Sequence, residues 1–200
     1  MIKALIFDWF GVCTKENWGD CVQRELVKEL KVSPEIIQRE FKLFLQDFMS
    51  NKLSPEGFFQ RFIAALDKEK DSKKFHYLLE IVPDLNEELL DLILVLKKRY
   101  KIYLLSNTTA ELFKQYQKKI DFKKYFDHTF LSHELKTSKT QDEIWEIVLS
   151  KVNFSPEELV FIDNKEKYLE LAQKHGIKTI LFKNNEQVRK ELIHSGIQIT

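Results

Sequence analysis

Three short runs of the chain are rich in apolar, β-forming residues: KALIF at 3–7, KIYLLS at 101–106 and ELVFID at 158–163. DHTFLS at 127–132 and IKTILF at 177–182 are weaker relatives. Long stretches of helical period separate them. Buried apolar strands alternating with helices predict an α/β fold, a parallel, doubly wound sheet of Rossmann-like type.

Residues 16–82 interrupt that alternation. Trp18, Val22, Leu26 and Leu30 fall at i, i+4 spacing, one face of a helix. SPE occurs at 33–35 and again at 54–56, each offering a Ser N-cap and a Pro at the first helical position. Ile37, Phe41, Phe44, Leu45 and Phe48 follow the first. Phe58, Phe59, Phe62, Ile63 and Leu66 follow the second. A fourth helix is expected over 72–82, stopped by Pro83. The prediction is a core domain built from 1–15 and 83–200, with a small four-helix domain at 16–82 inserted after the first strand.

A chain of 200 residues suffices for one domain with such an insertion. Hydrophobic residues make up 44%, enough for a real core, and 16 Phe predict aromatic-rich packing. Acids and bases are mixed along the chain and sum to +1, so neither a nucleic-acid face nor a membrane surface is expected. No apolar run approaches the roughly 20 residues that span a bilayer, and no signal peptide is expected. The two cysteines, Cys13 and Cys21, make no disulfide framework, which fits a reducing cytoplasm.

Ligands of open α/β sheets bind beyond the carboxyl ends of the strands. Asp8 stands at such an end, as do Ser106 with Asn107 in LLSNTT and Asp163 in FIDN. Each alone reads as a turn residue. Together, on parallel strands, they read as a site. Lys139, between the fourth run and a helix beginning near Gln141, is placed at the same edge. Two carboxylates, a hydroxyl and an ammonium suit phosphoryl transfer through an aspartyl phosphate.

These motifs resemble the haloacid dehalogenase-like (HAD) hydrolases over essentially the whole chain. KALIFDWFGV at 3–12 is similar to the family's first motif and LLSNT at 104–108 to its second. ELKTSKTQDEIW, with Lys139, is similar to the third and LVFIDN at 159–164 to the fourth. The insertion then corresponds to the family's helical cap. The resemblance implies that Asp8 is the nucleophile, that Lys139 steadies it, and that Ser106 and Asn107 bind substrate. It also implies a weakly held Mg²⁺ on Asp8, the Phe10 carbonyl, Asp163 and Asn164, and a small phosphorylated metabolite as substrate.

Phe10 stands where most phosphatases of the family have the Asp that moves the proton, a loss worth about 10²–10⁴ in rate. Asn164 replaces a second acid, Tyr168 an Asn or Asp, Lys136 a Gly and Thr140 a Pro. Three readings follow: a Mg-dependent phosphatase impaired at residue 10, a non-catalytic HAD-fold binding protein, and a 2-haloacid dehalogenase. Against the third, Trp145 takes the place of a dehalogenase Tyr. His133 is a candidate substitute proton carrier, Trp9 and Phe10 are candidate pocket walls, and Cys13 is read as packed.

Overall fold

The computed structural model describes residues 1–67 and 72–199. Its sheet has five parallel strands, β1 Ala4–Phe7, β2 Lys101–Ser106, β3 His128–Leu131, β4 Leu159–Asp163 and β5 Lys178–Leu181, in the order β3-β2-β1-β4-β5. β1 is central, and Phe7 pairs with both Leu104 and Ile162.

Both faces of the sheet are covered, which is why the strands read as continuous apolar runs. Leu5, Phe7, Leu104 and Ile162 pack on one face with α4 Glu87–Leu96, α5 Ala110–Gln117 and α10 Asn185–His194. Ala4, Ile6, Leu105 and Phe161 pack on the other with α8 Asp142–Val152 and α9 Glu166–Lys174. The short helices α6 Phe122–Tyr125 and α7 Ser132–Leu135 flank β3.

Between β1 and β2 the chain forms α1 Trp18–Leu30, α2 Pro34–Met49, α3 Pro55–Ala65 and a 3₁₀ helix, Ser72–Glu80. The fourth helix of the insertion is therefore 3₁₀ rather than α. Phe75, Leu78 and Leu79 are its buried residues. Residues 68–71 of the insertion lie outside the described residues. Ser54 caps α3 by accepting from the Gly57 N–H at 3.1 Å, whereas Ser33 makes no capping bond to α2.

The phenylalanines account for the packing of the insertion. Phe48 stacks on Phe58 at 4.6 Å, Phe41 meets Phe58 edge-on at 5.1 Å, and the Trp18 indole N–H donates to the Leu78 carbonyl at 3.2 Å. Such pairs add about 0.5–1.5 kcal/mol each beyond the area they bury. Where the chain leaves the sheet and returns to it, the two passages are bonded together. Lys15 N–H donates to Asp84 O at 2.8 Å and Asn86 N–H to Cys13 O at 2.9 Å.

Candidate active site

Asp8 follows the last residue of β1, and its N–H still donates to Ile162 O at 2.9 Å. The ladder thus carries the Asp8 carboxylate to the edge where β4 delivers Asp163. Beyond Asp8 the chain makes a wide turn, Trp9–Cys13, closed by Thr14 N–H on Trp9 O at 3.0 Å. Gly11 has φ +76° in that turn, and a Cβ there would stand 2.2 Å from Asn164 Nδ2. Only glycine meets both the conformation and the close approach.

The structure brings Asp8, Lys139 and Asp163 together. The Lys139 ammonium lies 2.6 Å from Asp8 Oδ1 and 2.6 Å from Asp163 Oδ2. All three side chains are buried. The ammonium also sits over the Tyr168 ring, 4.8 Å from its centroid. Asn107 Oδ1 accepts from the Lys139 N–H at 3.0 Å and so fixes the loop that carries the lysine.

One cation thus serves two carboxylates. Burial works against the Lys139 charge, but Asp163 and Asp8 outweigh it and hold the ammonium above its usual pKa. Burial, then the Asp8 charge, push the Asp163 carboxyl up to about 7 despite Lys139. Asp8 Oδ1 accepts from both Lys139 and the Trp9 N–H, the latter at 2.7 Å. Among the described residues Oδ2 receives no donor.

Ser106 ends β2 with its hydroxyl buried and unpartnered. Asn164 Nδ2 donates to Phe10 O at 3.3 Å, and Asn164 Oδ1 is buried without a partner. Unpartnered buried polar atoms are costly, so both mark places where a ligand or ion would make up a bond.

A cavity of about 290 Å³ lies between α1 and α2 on one side and the sheet edge on the other. Asp8, Phe10, Asn107 and Lys139 line it, but Ser106, Asp163 and Asn164 do not. A larger groove of about 650 Å³ beside α5 and α6 contains none of the strand-end residues and is open to solvent.

The other expectations divide. Phe10 lines the cavity, and its ring meets Tyr116 edge-on at 5.8 Å. Trp9 is no pocket wall: it is buried between Tyr116, 5.0 Å away, and Phe122, 4.9 Å away. His133 is no proton carrier at this cavity, since its ring is engaged by Thr108 O at 3.1 Å and does not line it. Cys13 is fully buried, and burial, then the Asp8 charge, hold its thiol well above the usual pKa. Trp145 packs on Phe161 at 4.9 Å inside the core, away from the cavity.

The sequence reading missed Asp20, Gln23, Lys42, Lys165 and Lys167, all of which line the cavity. Lys165 and Lys167 follow the FIDN motif directly, a proximity that points to them. Lys42 lies on an exposed helix face and carries no such signal.

The family model described as haloacid dehalogenase-like hydrolase matches residues 2–176. The chain is 27% identical over 192 residues to a phosphorylated carbohydrates phosphatase of Thermotoga maritima, covering 90% of this chain and 84% of that protein. It is 25% identical over 202 residues to a D-ribitol-5-phosphate phosphatase of Bacteroides thetaiotaomicron, covering 96% and 97%. Among solved structures, a HAD family enzyme of Bacteroides thetaiotaomicron in complex with magnesium and inorganic phosphate superposes with a TM-score of 0.72. That match has 27% identity and covers 92% of this chain and 95% of the other.

Proposed function

The chain belongs to the haloacid dehalogenase-like hydrolases, and from that premise we propose that it is a Mg²⁺-dependent phosphatase of small phosphorylated metabolites. The observation that carries the reading is the Lys139 bridge. It holds Asp8 by Oδ1 and, among the described residues, leaves Oδ2 free of donors, as a nucleophile requires. The names of the relatives, both phosphatases of phosphorylated carbohydrates or polyols, support the substrate class.

In this reading Asp8 Oδ2 attacks phosphorus, the ester oxygen leaves, and an aspartyl phosphate forms. Lys139 pairs with Asp8 and orients it. Ser106 Oγ, unpartnered at the end of β2, donates to a phosphoryl oxygen. Phe10 offers no proton to the leaving group and no base to the water that later cleaves the acyl phosphate. The helices of 16–82 serve as a cap over the cavity, and the paired passages at Thr14 and Leu85 are its hinge. The setting is cytoplasmic.

The residues fit a divalent cation. Asp8, Asp163 and the Phe10 carbonyl would supply oxygens to it, and the unpartnered Asn164 Oδ1 would supply a fourth. A bound Mg²⁺ would offset charge on the phosphoryl oxygens. Asn in place of an acid makes the hold weaker.

A second reading, a non-catalytic binding protein, draws on Phe10 being packed against Tyr116. Incubation with radiolabelled acetyl phosphate and Mg²⁺ separates the two. The phosphatase reading requires label on the protein that Asp8→Asn abolishes, followed by its slow release as inorganic phosphate. An unlabelled protein under those conditions leaves the binding reading.

A further inference from the structure

Lys42, Lys165 and Lys167 reach one cavity from two parts of the chain, the first from α2 and the others from the start of α9. All three are exposed, whereas Asp8 and Lys139 are buried, so the lysines stand at the mouth and the phosphoryl chemistry at the floor. None of the three forms an ion pair with an acid among the described residues. No acid lies one turn either side of Lys42 on its helix.

The mouth is therefore unbalanced. Lys139 is already claimed by Asp8 and Asp163. That leaves Asp20 as the one carboxylate of the lining facing three ammonium groups, and the Asn17 amide already takes it at 2.9 Å. Surface lysines ordinarily spread apart or pair with acids. Three lining one concave wall concentrate positive potential there. Partial burial, then Lys165 and Lys42, hold Lys167 below the usual lysine pKa.

We infer that Lys42, Lys165 and Lys167 form a second anion site, so that the molecule held here carries a phosphoryl group at the floor and a carboxylate or second phosphate at the mouth. The inference rests on the phosphatase reading for what becomes of the phosphoryl group, not for the binding. A cavity of about 290 Å³ suits a short carbon skeleton, which sets the two charged ends at floor and mouth. An ammonium-to-carboxylate bond is charge-assisted, and a site assembled from several is selective for ligands that bring the charge.

The test uses the intact protein with Mg²⁺ and non-hydrolysable probes, read by calorimetry. Propylphosphonate has one anionic end. 3-Phosphonopropanoate adds a carboxylate, and propane-1,3-bisphosphonate adds a second phosphonate. The doubly charged probes should bind about tenfold tighter or more, an advantage that shrinks as salt rises. In the double variant Lys42→Gln, Lys167→Gln the advantage should collapse to within about twofold, with the circular dichroism spectrum unchanged. Comparison of the carboxylate and bisphosphonate probes tells which anion the mouth prefers. Equal affinity for single and double anions in the natural protein overturns the inference, as does an advantage that survives in the double variant. A preference in a protein that never acquires label on Asp8 keeps the anion site and removes the phosphatase reading. Labelled Asp8 without any preference does the reverse.

Discussion

Lys139 Nζ lies 2.6 Å from Asp163 Oδ2, with both side chains sealed from solvent. This contact, doubled by the one to Asp8, is what allows two carboxylates to share a buried site. Breaking a buried ion pair by removing one partner costs about 3–5 kcal/mol, because the charge left behind is uncompensated. Lys139→Met should therefore lower stability by about that amount in urea unfolding. A loss under about 1 kcal/mol would show that solvent or an ion already serves the two acids.

The raised Asp163 carboxyl has a signature of its own. An acid whose pKa is higher in the folded state than unfolded stabilises the fold below the unfolded value, about 4. That stability is lost as pH climbs to the folded value, about 7. Metal-free protein, kept in chelator, should lose this contribution across that window. Asp163→Asn should not. The difference between the two proteins is the measurement, and a difference that grows in favour of the natural protein as pH rises contradicts the assignment.

Phe10 governs the leaving group. An alkyl phosphate departs as a strong base and needs a proton, whereas acetyl phosphate and p-nitrophenyl phosphate depart as weak bases. The expected outcome is turnover of the latter two with Mg²⁺, as a burst followed by a slow steady rate, and poor turnover of simple sugar phosphates. Phe10→Asp should raise the steady rate by about 10²-fold. Loss of the contact with Tyr116, whose ring is 5.8 Å away, limits that gain. Equal rates for acyl and alkyl phosphates in the natural protein would mean that another group moves the proton.

Asn164 donates to the Phe10 carbonyl through Nδ2. Asn164→Asp replaces that donor with a charge. Without metal, the new carboxylate faces two acceptors, Phe10 O and Asn17 Oδ1, and the melting temperature should fall. With Mg²⁺ it should rise above that of the natural protein at the same metal concentration, since ligand charge sets affinity. Thermal melts with and without Mg²⁺ decide it. A variant insensitive to Mg²⁺ removes residue 164 from the metal site.

Lys136 occupies the left-handed region, φ 57°, at the end of α7. A non-glycine residue there is strained by about 1–2 kcal/mol. Lys136→Gly relieves that strain but loosens the unfolded chain, so a net gain of about 0.5–1 kcal/mol is expected by chemical denaturation. A destabilised variant would mean that the Lys136 side chain makes up for its backbone.

The sequence by itself determined the sheet. Strands that are apolar throughout can only lie between two layers of helices, and all five sit within a residue or two of their predicted limits. It also determined which strands end in Asp8, Ser106 and Asp163, because strand direction fixes the edge at which those side chains emerge. What it left open depends on neighbours far apart in the chain. Lys139 alone reads as a surface lysine, and although its place before a helix put it at the sheet edge, its burial follows only from two carboxylates on other strands. That the helix after residue 72 is 3₁₀ was not legible either, because Phe75, Leu78 and Leu79 recur at a spacing an α-helix would share. The anion site at the mouth is the clearest case. Lys42 and Lys167 are separated by more than a hundred residues, and although the FIDN motif beside it points to Lys167, nothing local marks Lys42. Only the folding of α2 over the sheet edge makes them neighbours, and electrostatics, unlike hydrophobic period, leaves no trace in the order of residues.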